Sequence, residues 1–162
     1  MIIWVDADAC PGVIKEVIYK TAERMKIKAV FVANQKLRLP QSEFIDSIVV
    51  GAGFDVADNE IVERLSTEDL VVTADIPLAS AVVDKGAVGL NPRGEVYSDA
   101  NIKTRLGMRN LMDTLRADGI ETKGPPPLND KAKQEFANSL DRTLVQMEKK
   151  KRFAAILKNA KK

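Results

Sequence analysis

The chain contains no histidine, and this absence removes several kinds of chemistry at once. Without histidine, Ser-His-Asp and Cys-His catalysis, HExxH zinc sites and a histidine general base are excluded. A single cysteine, Cys10, excludes an internal disulfide, disfavours zinc–thiolate and iron–sulfur sites, and is typical of a reducing cytoplasm. Any chemistry must therefore come from carboxylates, lysine, arginine, hydroxyl groups or a bound metal ion.

Long apolar segments are lacking as well. No hydrophobic run approaches the ~20 residues that a membrane-spanning helix needs, and no signal-peptide pattern opens the chain. We therefore expect a cytoplasmic protein without membrane contact. The 162 residues, 45% of them hydrophobic, suit one domain with a substantial core and a short appendage.

Charge is nearly balanced overall but unevenly distributed. The formal net charge is +2, yet residues 129–162 carry 10 Lys and Arg against 4 Asp and Glu, a net charge of +6. The other 128 residues carry 15 against 19, a net charge of −4. The tail contains the basic run Lys149, Lys150, Lys151 and Arg152. This run predicts contact with a polyanion such as nucleic acid, the alternative being a solvated helix end.

Apolar strands alternate with helical segments through the first 94 residues. Short apolar segments predict strands at 2–5, 29–33, 45–50, 70–73 and 87–90. Helical patterns predict three helices: one from Pro11 to Met25, one that contains Ile61, and one that begins at Pro77. This alternation predicts an α/β fold in three layers, a mostly parallel sheet with helices on both faces.

The pattern becomes helical after Gly94. A helix capped by Asp99 or Asn101 is predicted to end near residue 117. Its apolar stripe consists of Leu106, Leu111, Met112 and Leu115. Residues 124–127, Gly-Pro-Pro-Pro, predict a stiff linker.

A long second helix follows, capped by Asn129. Its apolar residues, spaced three and four apart like a packed face, are Phe136, Leu140, Leu144 and Met147. We therefore predict an α/β domain at residues 1–124. Residues 125–162 are predicted to form the proline linker and a basic helix, which packs on the domain or extends from it.

Acidic residues follow the predicted strands at the points where those strands end. Asp6 and Asp8 follow the first strand, Asp58 begins the helix after the third, Asp75 follows the fourth, and Asp99 follows the fifth. Carboxylates about 4 Å apart repel by roughly 4 kcal/mol at an effective dielectric constant near 20, so such a cluster favours cation binding or shared protons. Mg²⁺ or Mn²⁺, which prefer oxygen ligands, are the predicted cofactors. The alternative is that Asp8, Asp58 and Asp75 are helix caps.

Several longer motifs carry a family resemblance. Over residues 2 to about 144, the chain resembles the YaiI/YqxD family of uncharacterised bacterial cytoplasmic proteins. The segments that carry this resemblance are VDADACP, VANQ, AGFDVADNEIVERL, DLVVTADIPLA, LNPRGE, MRNLMDTLRADGI and GPPPL. The pattern is in turn similar to the wider PIN-like nuclease superfamily. This resemblance implies a parallel sheet with helices on both faces and an acidic metal site.

The PIN-like resemblance assigns roles to three aspartates. It implies that Asp6 ends the first strand, that Asp58 and Ile61 match D-x-x-I before a helix, and that Thr73 and Asp75 match T-x-D after a strand. Asp6, Asp58 and Asp75 are thus the implied catalytic residues, and with Asp8 they are the predicted metal ligands. One ion, or two roughly 3.5–4 Å apart, would activate a water for cleavage of a nucleic-acid phosphodiester, with RNA as the expected substrate.

Polar residues in the neighbouring loops are candidate substrate contacts. We predict that Asn34, Arg38, Asn91 and Arg93 grip phosphates. Thr73 is predicted to bind a phosphate or to orient Asp75. Each of these also has a plain structural interpretation, as a solvated loop residue or, for Thr73, a β-branched strand residue.

Three other functions stay open. PIN nucleases usually carry a further acid, often glutamate, on a middle helix. Glu43 lies in the wrong context for it and Asp8 is a candidate substitute, so no residue here clearly matches, which favours a non-catalytic RNA-binding or adaptor protein. Asp6 and Asp8 also resemble the DxD of haloacid-dehalogenase-type phosphatases, in which the first Asp is the nucleophile. A thiol mechanism through Cys10 is the third, but Glu16 stands where a C-x₅-R loop has arginine, so we interpret Cys10 as a packing residue.

Overall fold

The computed structural model describes residues 1–53, 55–121 and 127–160. Within these residues the strands are β1 (Ile2–Asp6), β2 (Lys28–Ala33), β3 (Ile45–Val49), β4 (Leu70–Val72) and β5 (Val88–Leu90). The α-helices are α1 (Gly12–Met25), α2 (Val56–Arg64), α3 (Ile76–Asp84), α4 (Asp99–Ala117) and α5 (Asp130–Ala160). One turn of 3-10 helix, Ala7–Ala9, follows β1.

All of these strands pair in one parallel sheet with the order β3-β2-β1-β4-β5. β1 lies at the centre, where Val5 pairs with Phe31 of β2 and with Val72 of β4. The predicted α/β class and parallel sheet are confirmed, and each predicted strand differs from the observed one by a single terminal residue. Because the strands are parallel, their carboxyl ends share one edge of the sheet, called here the carboxyl edge, and their amino ends share the opposite one, the amino edge.

One face of the sheet is covered by α1 and α5. Ile3, Val5 and Phe31 point to this face and pack with residues of the two helices in one buried cluster. The helix residues buried completely in it are Ile14, Ile18, Ala22, Phe136, Leu140 and Leu144. The predicted apolar face of the last helix is thus confirmed, with Met147 partly buried at its end. The first half of α5 is a structural layer of the domain.

The opposite face is covered by α2 and α3. Trp4 and Val71, which alternate along their strands with residues of the first face, pack against Ile61 of α2 and Val82 of α3. This second cluster completes the predicted three-layer arrangement.

Helix starts differ in detail from the prediction. Pro11 is the N-cap of α1, one residue before the helix, where its missing N–H costs nothing. Ser98 caps α4 through a capping box, in which its side chain accepts from the Asn101 backbone N–H and the Asn101 side chain accepts from the Ser98 N–H. The prediction that Asp99 or Asn101 is the N-cap was therefore wrong, because the N-cap is Ser98. Asn129 does cap α5, since its Oδ1 accepts from the Ala132 N–H at 2.8 Å.

The predicted apolar stripe of α4 is only partly packed. Ile102 is buried and Leu106 packs with it against α3, but Leu111, in the same apolar stripe, is 52% exposed. The α4 residues that pack against α3, Ile102 and Leu106, lie in the first half of the helix. Apolar residues that recur every 3.6 positions indicate that a helix has an apolar face, but they do not indicate whether another element covers that face.

Two further expectations concern the chain as a whole. The predicted linker at 124–127 lies outside the described residues except for Pro127. Among the residues that the structure describes, no helix is long and apolar enough to cross a membrane.

A buried carboxylate ties the amino edge together. Asp69, just before β4, is 4% exposed, and its Oδ1 accepts from the Ile2 N–H at 2.8 Å. Its Oδ2 accepts from the Trp4 Nε1–H and from the Ser66 N–H, both at 3.0 Å. One side chain therefore joins the start of β1, the core indole and the turn before β4.

Replacing Asp69 by alanine should destabilise the fold by about 2–4 kcal/mol, because donors around the carboxylate lose their acceptor and each unsatisfied group costs about 1–3 kcal/mol. Urea unfolding of Asp69→Ala against wild type measures the difference. Glu68→Ala is the matched control, since Glu68 is an exposed neighbour whose loss should change stability by at most ~0.5 kcal/mol. Equal stabilities of the two variants would contradict this role.

Candidate functional site

Three of the predicted aspartates meet at the carboxyl edge. Asp6 is the last residue of β1, Asp75 follows the neighbouring strand β4, and Asp58 lies in the first turn of α2. Asp6 belongs to the face covered by α2 and α3, because side chains alternate along β1 and Trp4 points there. Asp6, Asp58 and Asp75 are called the acid cluster below.

Asp6 is buried at the base of this cluster. Only 6% of it is exposed, and its Oδ2 accepts a hydrogen bond from the Thr73 hydroxyl at 3.1 Å. Burial raises the pKa of Asp6, and the negative charges of Asp75 and Asp8 raise it further, while the Thr73 bond acts in the opposite direction. A buried carboxylate in this environment favours a proton or a cation.

Thr73 connects two members of the cluster. Its Oγ1 donates to Asp6 and accepts from the backbone N–H of Asp75 at 3.0 Å. Asp75 in turn is the N-cap of α3, because its Oδ1 accepts from the Leu78 N–H at 3.0 Å. Asp75 is therefore a helix cap and a member of the cluster at the same time. Thr73 thus contacts the backbone of Asp75 and the side chain of Asp6, and its predicted role in binding a phosphate or orienting Asp75 stays a prediction.

Asp58 shows most clearly that the three acids act on each other. Partial burial raises its pKa to about 6, with further contributions from the charges of Asp75, Asp6 and Asp55 in that order. Asp55 precedes α2 with a left-handed backbone (φ 62°), and it was not among the site residues predicted from the sequence. The signal that could have found it is its D-x-x-D spacing to Asp58, which brings two acids to one side of a helix start.

This raised pKa predicts an unusual pH dependence of metal-free stability. Between the ordinary pKa of an aspartate and about 6, Asp58 holds a proton in the folded state that the unfolded state releases. Its contribution thus favours folding at low pH and is lost as the pH rises through about 6. In EDTA, Asp58→Asn should melt about 2–4 °C above wild type at pH 7 and with no such gap near pH 4, since partial exposure screens the effect to the order of 1 kcal/mol.

Melting curves of both proteins between pH 4 and 8 measure this gap. Asp84→Asn is the control, because Asp84 is an exposed acid at the far end of α3. Millimolar Mg²⁺ should raise the melting temperature of wild type and narrow the gap, if the cluster holds the ion. Parallel pH curves for wild type and Asp58→Asn would show that Asp58 does not titrate as the geometry requires.

Asp8 and Asn34 contact each other beside the cluster. Asp8 lies exposed in the 3-10 turn, and its Oδ2 accepts from the Asn34 backbone N–H at 2.9 Å. Asp8 does not cap α1, whose start has no side-chain cap, so that interpretation was wrong. The Asp8 carboxylate instead links the end of β1 to the end of β2. The side chains of Asn34 and Arg38 are exposed in the loop after β2.

The described part of the chain contains no group of three or more His, Cys, Asp or Glu side chains already arranged around a metal position. The four predicted ligands Asp6, Asp8, Asp58 and Asp75 are therefore not a preformed cage. They are close enough for their charges to couple, and the metal site stays a prediction.

Asn91 has a structural role in the loop after β5. It is 6% exposed, its Nδ2 donates to the Tyr97 hydroxyl at 2.9 Å, and its Oδ1 accepts from the Arg93 N–H at 2.8 Å. The Tyr97 hydroxyl then donates to the Thr73 carbonyl at 2.9 Å. The Asn91 amide is thus engaged within the protein, and it orders the loop that carries Arg93, which is half-buried.

The same loop is fixed from the other side by α5. Gly94 has φ +96°, and a Cβ there would lie 3.1 Å from the Glu135 carbonyl oxygen, so a glycine is required for this close approach. The Ser139 hydroxyl donates to the Gly94 carbonyl at 2.6 Å. The start of α5 therefore supports the carboxyl edge.

The basic tail lies at the amino edge, away from the acid cluster. Lys149, Lys150, Lys151 and Arg152 are exposed, and Lys151 Nζ lies 3.9 Å from Glu68. Lys150 and Lys151 line a cleft with Met1 and Thr67, which precede β1 and β4. A five-residue strand is about 16 Å long, so the tail and the cluster cannot contact one phosphate. Glu43, the other acid considered, also lines a cleft at this amino edge.

Cys10 and Asp99 take no part in the acid cluster. Cys10 is buried in the core, and burial raises the pKa of its thiol to about 12, so it is uncharged at neutral pH and the packing interpretation is confirmed. Asp99 is exposed in the first turn of α4, and its charge is not among those acting on Asp6 or Asp58.

The fold and the site together define a parallel α/β domain with an acidic carboxyl edge, which is where open α/β sheets bind their ligands. The chain belongs to the YaiI/YqxD family: the family model described as "Uncharacterized BCR, YaiI/YqxD family" matches residues 4–146. The predicted resemblance to the YaiI/YqxD family is confirmed, and the similarity to PIN-like nucleases stays a prediction.

Relatives match the chain over almost its whole length. A UPF0178 protein of Hydrogenovibrio crunogenus is 59% identical over 145 residues, covering 90% of this chain and 96% of the relative. The UPF0178 protein PMI1258 of Proteus mirabilis is 56% identical over 151 residues, covering 93% of this chain and all of the relative. No solved structure matches the chain. These descriptions state no activity, so the function is argued from the site.

Proposed function

We propose that the protein is a Mg²⁺- or Mn²⁺-dependent nuclease that hydrolyses RNA phosphodiesters at the acid cluster, in the cytoplasm. The observation that carries the proposal is the convergence of Asp6, Asp58 and Asp75 from three elements onto one edge, where the charges of the other two help to raise the pKa of Asp58. A divalent cation between the carboxylates and a phosphate would relieve that repulsion.

The residues present fit a hard cation. All the candidate donors are carboxylate or hydroxyl oxygens, which suit Mg²⁺ or Mn²⁺, whereas zinc is disfavoured in a chain without histidine. Mg²⁺ commonly uses one or two carboxylates, several waters and substrate phosphates, so three preformed ligands are not required. The bound ion would supply water activation and would stabilise the charge developing on the phosphate.

The chain itself positions the ligands. Thr73 holds Asp6 through Oδ2, and the Leu78 N–H holds Asp75 through Oδ1. Asp6 and Asp75 held in this way would be the residues that bind the ion. Asp8 and Asp55, whose charges act on Asp6 and Asp58 respectively, are the candidates for the additional acid of the PIN-like pattern.

Phosphate contacts are assigned to residues around both edges. Arg93 is one candidate, on the loop ordered by Asn91, and Asn34 and Arg38 are the others, on the loop after β2. The basic run 149–152 would contact a different part of the same RNA strand, since it lies at the amino edge.

Cleavage of single-stranded RNA by the purified full chain tests the proposal. We expect cleavage in Mn²⁺ that stops in EDTA, and no turnover of p-nitrophenyl phosphate. RNA binding without cleavage under any metal condition would establish the binding or adaptor function instead. Turnover of p-nitrophenyl phosphate through a covalent aspartyl-phosphate at Asp6 would establish the phosphatase. Either result would overturn the proposed nuclease function.

A further inference from the structure

A cleft of about 340 Å³ lies at the carboxyl edge beside the acid cluster, on the side of α1 and α5. It is called the edge cleft, and its lining residues are Ala9, Pro11, Ala74, Asn91, Pro92, Arg93, Arg105 and Leu128. Its volume is near the lower end of the range for small-molecule sites, enough for a single nucleotide unit. The proposed reaction does not by itself use this cleft.

The edge cleft combines two cations with apolar walls. Arg93 and Arg105 are the charged residues lining it, and Pro11, Pro92 and Leu128 supply apolar surface. The start of α1, directly after Pro11, has no side-chain cap, so its backbone dipole adds to the positive potential. This composition suits a ligand with an anionic group and a flat apolar part, as in a nucleoside phosphate.

Arg105 is held in place by Glu95, a partner that a bound phosphate could replace. It forms an ion pair with Glu95, and its guanidinium carbon lies 5.8 Å from the centre of the Tyr97 ring. Both members of the pair are substantially exposed, at 35% and 42% of their side chains. A phosphate carries more charge than a carboxylate and offers more acceptor oxygens, so it can compete with Glu95 for the guanidinium.

The edge cleft is connected to the acid cluster through the backbone and one tyrosine. Ala74 lines the cleft, while its neighbours Thr73 and Asp75 belong to the hydrogen-bond network of the cluster. Tyr97 lies beneath Arg105 and donates to the Thr73 carbonyl. A strand of RNA crossing the edge would thus place consecutive nucleotides at the cluster and in the cleft.

We propose that the edge cleft binds the nucleotide that flanks the scissile phosphate, with its phosphate on Arg93 and Arg105 and its base against Pro11, Pro92 and Leu128. This assignment rests on the proposed nuclease function for its place in the reaction, but the binding site itself does not need metal. A cleft of this size holds an unpaired base and not a base pair, so the substrate class is single-stranded RNA.

Titration of ¹⁵N-labelled full-length protein with adenosine 5′-monophosphate in EDTA tests the site. We expect saturable shifts of the Ala9 and Ala74 amides, with affinity reduced about tenfold by Arg105→Gln, which removes a charge-assisted bond. Glu95→Gln should tighten binding about three- to fivefold, because it removes the competing carboxylate. Arg109→Gln, one turn further along α4 and exposed, is the matched control and should leave affinity within about twofold.

If the Arg105–Glu95 ion pair were only structural, Arg105→Gln and Glu95→Gln would each weaken nucleotide binding or leave it unchanged. Tighter binding by Glu95→Gln therefore distinguishes a phosphate-binding Arg105 from a structural one. Arg93→Gln provides a second test should Arg105→Gln lose its fold. Absence of saturable binding up to about 10 mM, or equal losses in Arg105→Gln and Arg109→Gln, would overturn the site.

The site and the nuclease can fail separately. Asp75→Asn should still bind the nucleotide in EDTA. Nucleotide binding without RNA cleavage would contradict the proposed nuclease function and support the edge cleft as a nucleotide-binding site. RNA cleavage without nucleotide binding would support the nuclease function and contradict the nucleotide-binding site.

Discussion

Replacing Asp75 by asparagine should abolish metal-dependent RNA cleavage and, at the same time, tighten RNA binding in EDTA. Loss of a metal ligand should reduce the rate by at least about 100-fold, since removing even outer-shell partners of metal ligands costs 10–100-fold. Asparagine caps helices about as well as aspartate, so α3 keeps its start and the fold is preserved. Metal-free binding should tighten because one negative charge beside the phosphate is gone.

The matched control for this experiment is Asp84→Asn. Asp84 is an exposed acid on the same helix, and the substitution changes the net charge equally, so it should alter neither cleavage nor binding near the cluster. Asp6→Asn should behave like Asp75→Asn. Equal cleavage by wild type and both cluster variants would indicate a contaminating ribonuclease and would contradict the assignment.

Deleting α5 should prevent folding, which is the largest stability effect we expect. The helix buries Phe136, Leu140 and Leu144 completely against the sheet and α1. At about 2–3 kcal/mol for each side chain, their loss amounts to about 6–9 kcal/mol, which is comparable with the total stability of about 5–15 kcal/mol typical of a domain. A chain ending at residue 127 should therefore show no cooperative thermal transition.

A chain ending at Glu148 is the control for this deletion. It keeps the packed half of α5, and the described residues that it loses, 149–160, are all exposed, so its melting temperature should stay close to that of the full chain. It should also show a weaker salt dependence of RNA binding, if the basic run contacts phosphates. Phe136→Ala is a milder test, with an expected loss of about 3–5 kcal/mol. A folded chain 1–127 would show that the α/β domain is independent of the helix.

The sheet could be predicted because parallel strands covered on both faces are nearly continuous apolar runs. The acid cluster could be predicted for a related reason: Asp6 and Asp75 each interrupt such a run at its carboxyl end, and parallel strands bring those ends together. Local sequence therefore contained both the architecture and the position of the candidate site.

The parts that could not be predicted depend on contacts between distant residues. Thr73 reaches Asp6 across 67 positions, and Asp69 reaches Ile2 across the same separation, which no local pattern reports. Asn91 was predicted to bind phosphate, but a buried amide must be hydrogen-bonded, and the structure satisfies it with Tyr97 and the Arg93 backbone. The placement of the basic run at the amino edge follows from the direction of α5 against the sheet, which only the packing reveals.

Anomalous X-ray scattering from crystals soaked in Mn²⁺ tests the central claim most directly, because it locates the ion without relying on an activity. We predict a manganese peak within about 2.0–2.3 Å of carboxylate oxygens of the acid cluster, with Asp6 or Asp75 as a ligand. The peak should be absent in Asp75→Asn. A peak elsewhere on the protein, or none among Asp6, Asp58 and Asp75 at saturating Mn²⁺, would contradict the metal site and with it the nuclease.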